Sequence, residues 1–128
     1  MKLLLDTHIW LWTFAESSRL GRRVRTEIDN LENELWLSPV SLWEALTLHR
    51  KKRIHVPSQM DQWWLEAIKQ FREAPLTHEV VYVANQLPLH ADPADRFLAA
   101  TAKVHGLTLV TADERLLGLG DIATLANR

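Results

Sequence analysis

The stretch that most constrains this chain is HADPADRFLAATAKVHGLTLVTADE, His90 to Glu114. Asp92 stands where a helix N-cap belongs, and Pro93 takes the first helical position, where its missing N–H costs nothing. Phe97, Leu98, Ala99, Ala100, Ala102 and Val104 make a helix that is apolar most of the way round. Such a helix belongs against a sheet rather than on a surface. Gly106 ends it. Leu107 to Val110 is a short apolar and β-branched run that reads as a buried strand, with Thr111, Ala112 and Asp113 at its carboxyl end.

The chain opens with a matching unit. Lys2 to Leu5 reads as a central parallel strand because it is continuously apolar, and Asp6-Thr7-His8 leads from it into a helix over Thr7 to Phe14. Arg22 to Leu31 reads as a polar surface helix, Leu35 to Leu37 as a second strand, and Ser38-Pro39 as the start of a helix carrying Val40, Leu42, Trp43, Glu44, Ala45, Leu46 and Leu48. That helix runs into the basic stretch His49 to Arg53. A further helix begins at Pro57 or Ser58 and repeats Met60, Trp64, Ala67, Ile68 and Phe71 at three- and four-residue spacing. Ala74 to Leu76 is a brief extended piece, Thr77 caps a helix stopped at Pro88, and Asp121 to Leu125 forms a last edge strand. Short strands alternating with helices predict an α/β domain with a mainly parallel sheet. In such sheets ligands bind beyond the carboxyl ends of the strands. Asp6 and Asp113 are expected at strand ends, and Asp95 in the first turn of a helix.

Composition narrows the function without naming it. A chain of 128 residues makes one domain, 1–128, with a single core. Lys+Arg 15 against Asp+Glu 16 gives a formal charge of -1, so affinity for a polyanion has to come from local patches or bound cations. Without Cys there are no disulfides and no thiolate metal sites, which fits a reducing, cytoplasmic setting. The opening run Leu3-Leu4-Leu5 is too short for a signal peptide or a membrane span.

The order LLLDTH, SPVSLWEA, HADPADRFLAATA and LVTADE resembles the PIN-domain family, and among its members the VapC-type toxins of bacterial and archaeal toxin–antitoxin pairs. The resemblance covers nearly the whole chain, in the family's order. One departure stands out: many relatives carry an aromatic residue where this chain has Ala94.

Each acid also has an ordinary reading. Asp6 and Asp113 could be caps, and Asp95 at the third helical position gains about 0.3–1 kcal/mol from the helix dipole. Glu44 interrupts an apolar stretch and shares a face with Val40 and Leu48, so it needs either Arg96 or a cation as compensation. Were the four to converge, their repulsion would call for a divalent cation. Hard oxygen donors with no Cys and no clustered His favour Mg²⁺ or Mn²⁺ over zinc.

The resemblance implies a metal-dependent endoribonuclease in which water attack on RNA leaves 5′-phosphate and 3′-hydroxyl ends. Carried over by motif, its acids are Asp6, Glu44, Asp95 and Asp113. Asp6 and Asp95 stand as direct ligands, while Glu44 and Asp113 ligate or hold waters and a second ion. Thr7 and Thr111 flank them, and His8 and His90 lie nearby. The resemblance also implies a homodimer and a small antitoxin protein that covers an apolar groove, for which the Trp63/Trp64 face is the candidate. Arg50, Lys51, Lys52 and Arg53 form a candidate RNA-contacting run. The competing expectations are an RNA-processing or DNA-directed nuclease without an antitoxin, and a non-catalytic binding module.

Overall fold

A computed structural model describes residues 1–56, 59–89 and 92–128. Five strands build one sheet: β1 (Lys2–Leu5), β2 (Glu34–Leu37), β3 (Arg72–Glu73), β4 (Thr108–Thr111) and β5 (Thr124–Ala126). Their order is β3-β2-β1-β4-β5, and every pairing is parallel. The helices are α1 (Thr7–Ala15), α2 (Arg22–Asp29), α3 (Pro39–Arg50), α4 (Met60–Ala67), α5 (His78–Gln86), α6 (Pro93–His105) and α7 (Glu114–Leu117).

The alternation of β1 divides the core in two. Leu3 and Leu5 point to one face, where Ile9, Trp10, Val24, Ala45 and Trp63 pack. Leu4 points to the other, against Val80, Ala84, Ala99, Ala100 and Leu109. Trp10 is the largest fully buried side chain, and its indole N–H donates to the Ala67 carbonyl at 3.3 Å. Trp63 lies 5.9 Å from Trp10, centroid to centroid, and 5.6 Å from Phe14. Among the described residues no helix is long and apolar enough to cross a membrane.

The caps expected from sequence form where expected. Ser38, Thr77 and Asp92 each accept from a backbone N–H in the first turn of α3, α5 and α6. Gly106 ends α6 at φ 65°, the left-handed conformation that glycine adopts without strain. Gly21 has a different reason to be glycine: a Cβ there would stand 2.1 Å from the Arg128 carbonyl oxygen.

Several boundaries differ from the sequence reading. Thr111 belongs to β4 because it pairs with Ala126, while Leu107 precedes the strand. The extended piece expected at Ala74–Leu76 forms at Arg72–Glu73, where backbone pairing to β2 decides and both side chains are exposed. The last strand is Thr124–Ala126 rather than Asp121–Leu125. Helix α2 stops at Asp29, and the repeat through Phe71 outruns α4, which ends at Ala67. The start of that helix at Pro57 or Ser58 lies outside the described residues, as does His90.

What positions the site is the direction of the strand order. From β1 the chain winds out through β2 to β3, then returns to place β4 on the other side of β1. The β1/β4 junction is therefore the switch point of the sheet, where a crevice opens beyond the strand ends. Asp6 ends one of these strands, and Thr111 with Asp113 ends the other.

Candidate active site

Asp6 occupies the N-cap position of α1 but makes no side-chain cap. Its carboxylate turns to the neighbouring strand end, where the Thr111 hydroxyl donates to Oδ2 at 2.6 Å. The capping reading of Asp6 is thereby set aside. Thr111 is itself fixed, because its hydroxyl accepts from the Asp113 N–H at 3.0 Å.

Glu44 sits half-buried on α3, and Arg96 does not compensate it. The Arg96 guanidinium donates instead to the carbonyls of Leu89, Leu87 and Asn85, closing the end of α5. Glu44 Oε1 lies 2.5 Å from the Thr7 hydroxyl, which is also 2.9 Å from the Ser41 hydroxyl. A hydroxyl has one proton to give. The shorter contact assigns it to Glu44, and Ser41 then donates to Thr7. The two threonines thus hold carboxylates rather than standing as loose neighbours.

Asp95 lies at the third position of α6, and its N–H donates to the Asp92 cap at 3.0 Å, leaving its own carboxylate to face the crevice. Asp113 does act as a cap, accepting from the Arg115 N–H at 2.9 Å. Arg115 is the residue that sequence reasoning missed. Its guanidinium lies 2.8 Å from Asp113 and 3.3 Å from Asp95, linking the end of β4 to the start of α6. The only local hint was a basic residue two places after Asp113.

Asp6, Glu44, Asp92, Asp95 and Asp113 line one cleft of about 410 Å³, together with His8, Trp12, Ala112 and Arg115. Arg19 stacks 4.4 Å over the Trp12 ring on the cleft wall. Burial pushes the Asp6 carboxyl up, against the Thr111 hydrogen bond that lowers it. Burial likewise raises Glu44, with the Thr7 hydrogen bond opposing and the charge of Asp6 adding. Asp95 is pushed up to about 6, first by burial and then by the surrounding acids Asp92, Asp6, Asp113 and Glu44. Asp113 goes the other way, because Arg115 hydrogen-bonds it and holds its carboxyl below the usual range.

Among the described residues, no three acidic or imidazole groups stand close enough, with side chains as they are, to hold one metal ion. The donor chemistry nevertheless suits a hard divalent cation. The lining offers carboxylate oxygens and one imidazole, no sulfur, and far more negative charge than a single guanidinium neutralises. The Arg115 guanidinium competes with a cation for Asp95 and Asp113.

The comparisons with known proteins agree with this architecture. The chain is 34% identical over 116 residues, 89% of this chain and 88% of the relative, to the ribonuclease VapC22 of Mycobacterium tuberculosis. It superposes with a TM-score of 0.74 on the VapBC2 structure from Rickettsia felis bound to a promoter DNA fragment, at 14% identity over 100% of both chains. The FitAcB structure from Neisseria gonorrhoeae matches with a TM-score of 0.63 at 26% identity over 96% of both chains. A family model described as PIN domain matches residues 3–121, and the chain belongs to that family.

Proposed function

We propose that the chain is a divalent-metal-dependent endoribonuclease and the toxin of a toxin–antitoxin pair. The observation that carries this reading is the acidic cleft at the β1/β4 switch point, in a chain similar along most of its length to a VapC ribonuclease. Asp6, Glu44, Asp95 and Asp113 are the residues that would hold Mg²⁺ or Mn²⁺. Such a cation, when bound, acidifies water and offsets charge building on the phosphate oxygens. Thr111 fixes the direction of Asp6, and Thr7 that of Glu44, so the two deepest carboxylates do not need to reorganise. Asp95, whose carboxyl is pushed up by burial and the surrounding acids in the metal-free chain, is the acid whose charge a bound cation would offset most. Water attack at phosphorus with departure of the 3′ oxygen leaves 5′-phosphate and 3′-hydroxyl ends.

The antitoxin is proposed to cover an apolar groove of about 120 Å³ between α3 and α4, where Leu42, Trp64, Ile68 and Phe71 line the wall. This narrows the candidate face, since Trp63 is buried against Trp10 and only Trp64 lines the groove. A homodimer completes the proposed assembly. The test is to incubate the purified protein with RNA and Mg²⁺ or Mn²⁺, and to sequence the ends. Asp6→Asn and an EDTA control should both abolish cleavage; undiminished cleavage by Asp6→Asn would refute the assignment.

A further inference from the structure

A second concavity lies at the far end of α3, outside the acidic cleft. It encloses about 820 Å³ and is lined by His49, Arg50, Lys52, Arg53, Ile54 and His55, with no carboxylate in the wall. Among the described residues, no ion pair engages Arg50, Lys51, Lys52 or Arg53, although the chain carries 16 acidic residues. All four are exposed. A cation or two near a helix C-terminus is explained by the dipole. Four in succession, flanked by two histidines, exceed what that role needs.

The backbone adds an independent observation. Lys52 has φ 57° and is, among the described residues, the one non-glycine with positive φ. The turn is a helix stop: the Lys52 N–H donates to the His49 carbonyl at 2.9 Å, and the Arg53 N–H to Leu48 at 2.9 Å. Glycine is the residue that such a position favours. A lysine there retains strain in exchange for a side chain, the kind of exchange made at functional positions.

Placement relates the concavity to the cleft. Lys51, the residue that caps α3, follows Glu44 by seven residues, about two helical turns, which puts it near the same face about 10 Å along the axis. A polyanion whose scissile phosphate enters the cleft would pass Lys51 before reaching Arg50, Lys52 and Arg53. The chain has a formal charge of -1 and a cleft lined by carboxylates, so a nucleic acid needs cationic ground close by to approach at all.

We infer that the α3-end concavity is a docking site for the phosphate backbone of the RNA substrate, a few nucleotides from the cleavage point. This rests on the nuclease reading above and assigns its substrate a second point of contact.

The test measures binding of a fluorescently labelled single-stranded RNA to the full-length protein in EDTA, by anisotropy, across a KCl series. Combining Arg50→Gln, Lys51→Gln, Lys52→Gly and Arg53→Gln should weaken binding about ten-fold or more at low salt, and flatten the salt slope by about 0.7 for each lost phosphate contact. Lys52→Gly alone should have a Tm at or above the parent protein while binding RNA less tightly; a purely structural lysine would change the Tm and leave the affinity alone. Unchanged affinity and slope in both variants overturn the inference. So does a variant that binds RNA normally but no longer binds its antitoxin, since the surface would then be a protein-docking face. Failure of the nuclease reading shows separately, as parent protein that leaves RNA intact with Mn²⁺ present.

Discussion

Replacing Asp95 by Asn should make the metal-free protein more stable at neutral pH while removing its activity. In the folded chain the carboxyl is pushed from 3.8 to about 6 by burial and by its acidic neighbours. Protonation of this group therefore contributes stability that is fully present below about pH 4 and is lost as pH rises through about 6. At roughly 1.4 kcal/mol per pH unit the interval sets an upper limit of about 3 kcal/mol. Solvent screens a rim carboxylate, and the variant forfeits the attraction of the helix N-terminus, worth about 0.3–1 kcal/mol. A net gain of about 1 kcal/mol remains above pH 6. For a chain of 128 residues this is a rise in Tm of about 3–4 °C. The assay is thermal unfolding in EDTA between pH 4 and pH 8, comparing the variant with the parent. The two should coincide near pH 4, diverge between pH 4 and pH 6, and stay apart above. Adding Mn²⁺ should then raise the parent's Tm more than the variant's, because a bound cation relieves the same repulsion. A variant less stable than the parent at pH 8, or a gain that ignores pH, would refute the claim that Asp95 is held ionised at a cost.

Four further substitutions have expected outcomes. Arg115→Gln removes the guanidinium bridging Asp95 and Asp113; Mn²⁺ should then bind several-fold tighter, read by calorimetry, and the Asp113 carboxyl should titrate higher, read by NMR. Thr111→Val deletes the donor at 2.6 Å from Asp6, raising the Asp6 carboxyl further, so the acid limb of the cleavage–pH profile should move to higher pH, with a loss of about 1.5–3 kcal/mol of folding stability from the missing charged hydrogen bond. Trp64→Ala should leave RNA cleavage intact and weaken antitoxin binding, measured by co-purification, whereas Trp10→Ala should cost about 3–5 kcal/mol of stability by opening a cavity under β1.

What the sequence disclosed were features set by neighbouring residues. Lys2–Leu5 announces a buried strand by its unbroken apolar run, and Asp92-Pro93 with Gly106 brackets α6 through cap chemistry within a few positions. Features decided across the fold were not visible. Arg72 and Glu73 join the sheet by backbone pairing alone, and no apolar periodicity marks them. The direction of Asp6 depends on Thr111, 105 residues away, so cap and functional roles could not be separated beforehand. Arg96 looked like a partner for Glu44, yet it closes the carbonyl end of α5, and the cation beside the acids is Arg115. Asp6, Asp95 and Asp113 were legible because each sits at an element boundary, where helix and strand signals are strongest, and Glu44 because it breaks an apolar run within α3.

The bond between Asp6 and Thr111 also has a bearing on biosynthesis. During translation the first carboxylate leaves the ribosome long before the strand carrying its partner, and β1 has no neighbour on that side until then. A nascent chain halted ahead of β4 lacks both Thr111 and Asp113, so its first carboxylate stands without the strand end that completes the acidic crevice until the last fifth of the chain is made.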